Sequence, residues 1–130
     1  FQNTLATFQT PGQTVIDALE NGLSQVEEGA GRFPQVAGLK FVWDPAAAPG
    51  SRVVEVMVQE GDAFVPLDPA KTYGVVTNNY VRNGGDGYKM CATHAEHVYD
   101  FGPDLADVTA EYMAEVGPYT PYTDGRIAQK

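Results

Sequence analysis

The chain changes its hydrophobic rhythm several times, and each change marks a boundary. Residues 3 to 9, NTLATFQ, carry strand-type side chains and predict a strand. After a Thr-Pro-Gly break, Val15, Ile16, Leu19, Leu23 and Val26 recur at helical spacing, which predicts a helix with one apolar stripe. Residues 27 to 35, EEGAGRFPQ, are punctuated by glycine and predict a loop. VAGLKFVWD and RVVEVMVQ then alternate apolar with small or polar positions, separated by the breaker PAAAPGS. EGDAF predicts a tight turn, and VPLDPAKTY leads into a further apolar strand, YGVVTNNY. Two or three antiparallel strands fit these runs.

The last third predicts a short helix from about Gly87 to His94, a second helix in PDLADVTAEYMAEV with aspartate in its first turn, and a final extended DGRIA. Between the helices, CATHAEHVYD reads as a polar surface element. No internal repeat, low-complexity tract or linker interrupts the pattern. The sum is an α+β fold in which helices are layered on a mostly antiparallel or mixed sheet, with residues 1–130 forming one domain.

Composition adds constraints. A length of 130 residues with 43% hydrophobic content suffices for one core and is short for two. The net charge of -9 disfavours nucleic acid and anionic membrane surfaces, since like charge repels over a Debye length of about 8 Å. No apolar run approaches the roughly 20 residues of a membrane span, so no membrane insertion is expected. The chain opens on Phe1 without a methionine or signal peptide, which reads as a mature or excised piece.

Cys91 is the single cysteine, so no internal disulfide forms, and a buried inert thiol is expected. His94 and His97 follow at helical distance, where a base for the thiol or a pair of metal ligands is conceivable, but nothing supplies a third ligand or an orienting partner. No metal site is expected in this chain. GGDGYK lacks the GK[ST] ending of a phosphate-binding loop, and no G-x-G-x-x-G follows a strand. Asp86-Gly87 has the look of a calcium-loop fragment without the alternating oxygen ligands or the terminal glutamate. With 17 acidic residues, no catalytic carboxylate pair stands out.

The run NNYVRNGGDGYKM, residues 78 to 90, is the most unusual stretch. Tyr80 precedes a turn in which Gly84 and Gly85 allow backbone dihedrals closed to other residues, so Asp86 points where the turn dictates. Such a stretch builds a site or an ordinary turn.

GRFPQVAGLKFVWD (31 to 44), PLDPAKTYGVVTNNYVRNGGDGY (66 to 88) and DGRI (124 to 127), in that order and spacing, closely resemble the C-terminal domain of the 5'-nucleotidase family. These two-domain metallophosphoesterases include UDP-sugar hydrolases and ecto-5'-nucleotidases. The resemblance spans nearly the whole chain and covers only the second half of such an enzyme. It implies a nucleoside or nucleotide substrate, with Tyr80 stacking on one face of the base and Phe1 on the other. Asn3 would be a nearby polar contact, Asp86 would accept hydrogen bonds from the ribose hydroxyls, and Gly31 would let backbone approach the ligand. On these terms only the ring of Tyr80 matters, and Tyr80→Phe would be nearly neutral.

The resemblance also implies that catalysis lies elsewhere. Two divalent metal ions, their ligands and the catalytic histidine would belong to an N-terminal metallophosphoesterase domain, so no catalytic residue is expected in this chain and no cofactor in this domain. Rotation of this domain would carry the nucleotide to the metals. A periplasmic or extracellular location is implied. The alternatives are a non-catalytic interaction module, or the substrate domain of a relative acting on cyclic nucleotides, UDP-sugars or thiosulfonate groups.

Overall fold

A computed structural model describes residues 1–130. The elements are β1 (Leu5–Pro11), α1 (Gly12–Leu23), β2 (Leu39–Trp43), β3 (Val53–Glu60), β4 (Ala63–Pro66), β5 (Thr72–Asn78), α2 (Asn79–Arg82), α3 (Met90–Thr93), β6 (Glu96–Tyr99), α4 (Leu105–Val116) and β7 (Ile127–Gln129), with 3-10 turns at Val26–Glu28 and Gly85–Gly87. The α+β class holds, and its strands divide between two sheets, ordered β5-β1-β6 and β4-β3-β2-β7. The chain forms two compact units, Phe1–Thr10 with Tyr73–Thr123, and Pro11–Thr72 with Asp124–Lys130.

In the second unit, the apolar stripe of α1 meets the sheet. Leu19 and Leu23 are buried with Phe41, Trp43 and Val56, and Val15, Ile16, Val26 and Leu39 pack around them. Phe33 meets Trp43 edge-on with ring centres 6.3 Å apart, a favourable aromatic geometry. β2 pairs antiparallel with β3, and β3 with β4, while β7 lies parallel to β2 through Phe41↔Ile127 and Val42↔Ala128.

This core carries one buried cation. Arg52, 3% exposed, donates from Nη1 to the Leu23 carbonyl at 2.6 Å and from Nε to the Ala47 carbonyl at 3.0 Å, and pairs through Nη2 with Glu27. Glu20 completes the arrangement by accepting from the backbone N–H of Arg52 and Val53 at 2.9 and 3.0 Å. The buried charge is thus paired and hydrogen-bonded, the condition under which burial is tolerated.

In the first unit, β1 runs between β5 and β6, with Ala6, Phe8 and Thr10 on its buried face. The segment read as a polar surface element contains β6, an exposed strand that pairs antiparallel with β1. The register slips between Thr7 and Gln9, and His97 opposite takes a φ of 51°, as at a bulge. The helix expected from Gly87 to His94 is confined to α3, preceded by the left-handed Gly87. α4 begins as expected, with the Asp104 carboxylate accepting from the Asp107 N–H at 3.1 Å. It buries none of its residues, and Tyr112, Met113 and Val116 stay exposed.

The closing DGRI segment is held by charge. Arg126 donates to both carboxylate oxygens of Asp124 (2.9 Å from Nε, 2.7 Å from Nη2) and to the Val36 carbonyl at 2.8 Å. Hydrogen bonding from Arg126 lowers the Asp124 carboxyl from 3.8 to about 2. A lowered acid contributes stability that is fully present above its unfolded value and is lost as pH falls through the folded one. Asp124→Asn is therefore expected to lower the Tm relative to the parent at neutral pH, with the difference closing as pH falls from 3.8 to about 2. Thermal melts across that window check it, and a constant difference down to the lowest pH would contradict it.

Candidate functional site

At the end of β5 the chain turns through side-chain caps. The Asn78 amide oxygen accepts from the Val81 N–H at 2.8 Å and so starts α2. Asn79 is joined to the head of β1 twice. Its N–H donates to the Thr4 carbonyl, and its Oδ1 accepts from the Thr4 N–H, both at 3.0 Å. Arg82 then forks onto Asp100, with Nε to Oδ1 at 2.7 Å and Nη2 to Oδ2 at 2.8 Å. These side chains are only 12% and 21% exposed, so the pair is held in the bidentate geometry that makes such contacts strong. The hydrogen bond lowers the Asp100 carboxyl and raises the Arg82 guanidinium. Asp100 is itself fixed from the β1 side, where the Thr4 hydroxyl donates to its carbonyl at 2.6 Å.

Tyr80 stands on this frame, 51% exposed. Beneath it the backbone passes unusually close. A Cβ added to Gly85 would lie under 3.0 Å from three adjacent ring atoms of Tyr80, Cδ2, Cε2 and Cζ. Near-equal approach to three neighbouring atoms places the glycine over a ring face, not against an edge. One face of the ring is therefore backed by the turn. The turn is shaped by Gly84 and Gly87, at φ 98° and 81°, with Asp86 between them at φ 52° and ψ 34°. A left-handed residue with a side chain costs about 1–2 kcal/mol, least for Asp and Asn. In that conformation the Asp86 carboxylate meets the Tyr80 hydroxyl, which donates to Oδ1 at 3.1 Å.

The turn is anchored from below. Tyr88 and Cys91 are buried, and the Tyr88 N–H donates to the Gly85 carbonyl at 3.1 Å. Burial raises the Cys91 thiol above its ordinary value, with Arg82 opposing weakly, so the thiol stays protonated and serves packing, as expected from sequence. His94 contributes its carbonyl to the Thr10 hydroxyl at 2.8 Å, and His97 lies at the β6 bulge. No group of three His, Cys, Asp or Glu side chains is placed to hold a metal ion.

Of the five residues singled out from sequence, the structure brings Tyr80 and Asp86 into direct contact. Asn3 adjoins the frame, its carbonyl accepting from the Leu105 N–H at 2.8 Å. Phe1 is fully exposed at the head of the chain. Gly31 lies in an exposed turn of the second unit, with open space where a side chain would begin. Sequence reasoning missed the Tyr80 hydroxyl as a donor, and it missed Asn79, Arg82 and Asp100 as the frame. The only sequence signal for the frame is the asparagine pair that ends β5.

Two sheets with helices at their ends, and a glycine turn that brings an aspartate to a tyrosine hydroxyl, define a domain of the α+β class. The profile of the 5'-nucleotidase, C-terminal domain, matches residues 1–93. The trifunctional nucleotide phosphoesterase protein YfkN of Bacillus subtilis (strain 168) is 40% identical over 99% of this chain and 9% of its own length. The snake venom 5'-nucleotidase of Naja atra is 30% identical over 98% of the chain and 25% of its own. Among solved structures, the 5'-nucleotidase precursor from Thermus thermophilus superposes with a TM-score of 0.95 at 40% identity, covering 98% of this chain and 25% of that one. The chain belongs to the 5'-nucleotidase family and corresponds to its C-terminal domain. It spans a quarter or less of the length of these relatives.

The backing of the Tyr80 ring yields a direct test. Gly85→Ala is expected to displace the ring and release Asp86, at a cost of about 1–3 kcal/mol for forced overpacking. Tyr80 ring resonances and the denaturation midpoint would report it. A variant with unchanged ring shifts and stability would show that the turn does not support the ring.

Proposed function

We propose that this chain is the nucleoside-binding domain of a two-domain 5'-nucleotidase-like phosphohydrolase. Tyr80 stacks on one face of the base and Phe1 on the other, Asp86 accepts from the ribose hydroxyls, and Asn3 adds a polar contact. The observation that carries the proposal is the contact between Tyr80 and Asp86, which sets an exposed aromatic face beside a carboxylate. Stacking on an aromatic ring contributes about 1–3 kcal/mol per base and tolerates any base, because every base has a π face. A carboxylate matches the adjacent donors of a diol through charge-assisted hydrogen bonds. The backed face of Tyr80 leaves the opposite face for the base.

The metal chemistry of such an enzyme finds no ligand set in this chain, whose acids and histidines do not converge. We place it in an N-terminal metallophosphoesterase domain, to which this domain presents bound nucleotide. Relatives several times longer than this chain support that division, as does the bare apolar face of α4, which a larger protein would cover. No helix is long and apolar enough to cross a membrane. The venom enzyme and the Thermus precursor among the relatives support a periplasmic or extracellular location.

Titration with adenosine and uridine tests the proposal. Tyr80→Ala is expected to weaken binding by about 1–3 kcal/mol for the lost stacking. Asp86→Ala is expected to cost about 1.5–3 kcal/mol for bonds to a charged group. Removing the 2'- and 3'-hydroxyls from the ligand is expected to weaken binding to the parent and to matter little in Asp86→Ala, whose partner for them is gone. A folded parent that binds neither nucleoside at millimolar concentration would instead support a module whose pocket serves another partner.

A separate expectation concerns turnover. The 130-residue chain is expected to release no phosphate from AMP with manganese, zinc, cobalt or magnesium. Metal-dependent release that persists through repurification would place the catalytic centre within this chain.

A further inference from the structure

The Tyr80 hydroxyl has a partner that stacking does not require. A stacking ring needs only its face, and phenylalanine supplies one equally well. Here the hydroxyl donates to Asp86 Oδ1 at 3.1 Å, across a turn whose glycine backs the same ring. We propose that this hydroxyl is a positioning group, which holds the Asp86 carboxylate in the orientation that receives a ribose diol. The inference rests on the nucleoside-binding function proposed above and names how the two halves of that ligand are read together.

The geometry carries it in three steps. Asp86 is exposed and sits on a left-handed backbone, so packing alone does not choose its side-chain rotamer. Tyr80 is placed by other means, since α2 is capped by Asn78, tied to β1 through Asn79 and locked by the Arg82–Asp100 fork. A hydroxyl carried on this anchored helix therefore gives the carboxylate a reference to align to. An ionised carboxylate has about four acceptor positions, so a bond from tyrosine is compatible with bonds from a diol. The donor is neutral, and the carboxylate keeps the charge that makes its bonds to ribose strong.

The test compares adenosine with 2',3'-dideoxyadenosine on the 130-residue chain, by calorimetry or NMR titration. In Tyr80→Phe the ratio of the two affinities is expected to fall by about threefold to tenfold, the equivalent of one ordinary hydrogen bond. In the Asp86→Ala background, Tyr80→Phe is expected to leave the ratio where Asp86→Ala has put it. A Tyr80→Phe variant with the parent's full ribose preference would overturn the inference. So would equal losses for both ligands, which would mean that the hydroxyl places the ring and not the carboxylate. Failure of the underlying function reads differently, as a parent that shows no preference for ribose at all, and it would take this inference with it.

Discussion

The turn that carries Asp86 depends on one close approach, the passage of the Gly85 backbone beneath the ring of Tyr80. A Cβ at that position would lie under 3.0 Å from three atoms of the ring. With none there, the turn can close tightly enough to swing Asp86 up to the phenol oxygen, six residues away in sequence. The left-handed dihedrals of Gly84, Asp86 and Gly87 are the backbone's means of making that closure. The other end of the arrangement is stiff for a different reason. The long-range polar contacts that hold α2 are made to the head of β1 and to Asp100, so the ring rises from a fixed base while the turn folds against it.

The recognisable motifs divide between structure and site. GRFPQVAG and DGRI, as conspicuous in the sequence as NGGDGY, spend their arginines on the fold of the second unit. Arg126 bonds the Val36 carbonyl with its guanidinium and accepts from the Phe41 N–H at 2.8 Å with its own carbonyl, so the closing strand is pinned beside β2. Arg32 reaches Asn21 at 3.2 Å and so joins the loop to the end of α1. Arg52, in no obvious motif, is the most buried charge of that unit and ties α1, β3 and the 3-10 turn together. A motif dense in arginine and glycine thus does not by itself mark a ligand.

What was legible in the sequence follows the same physics. Val15, Ile16, Leu19 and Leu23 announced α1 because a helix that buries one face must repeat near every 3.6 residues. β3 was legible because Val56 and Val58 are buried on either side of half-buried Met57 and are flanked by exposed Glu55 and Gln59. β6 was not, since all four of its residues are exposed and a bulge breaks its register. The parallel pairing of β7 with β2, and the division of strands between two sheets, depend on long-range pairing that no local pattern encodes. At the site, resemblance picked out Tyr80 and Asp86. Their mutual hydrogen bond escaped because it spans a left-handed turn, where neither helical nor strand spacing predicts which side chains meet.

That bond is opposed by the strain of the turn that makes it. Tyr80 and Asp86 are both exposed, so their bond replaces bonds to water and contributes at most about 1.5–3 kcal/mol, the range for hydrogen bonds to a charged group. The left-handed Asp86 costs about as much, roughly 1–2 kcal/mol on the usual scale, reduced for aspartate. The two are of the same order and oppose each other. A glycine at position 86 would remove the strain together with the bond. A left-handed aspartate whose carboxylate meets an exposed aromatic side chain is the pattern expected where conformation is held for a ligand. The energetics of the turn therefore point in the same direction as the chemistry of its side chains, although they depend on neither the family nor the motif.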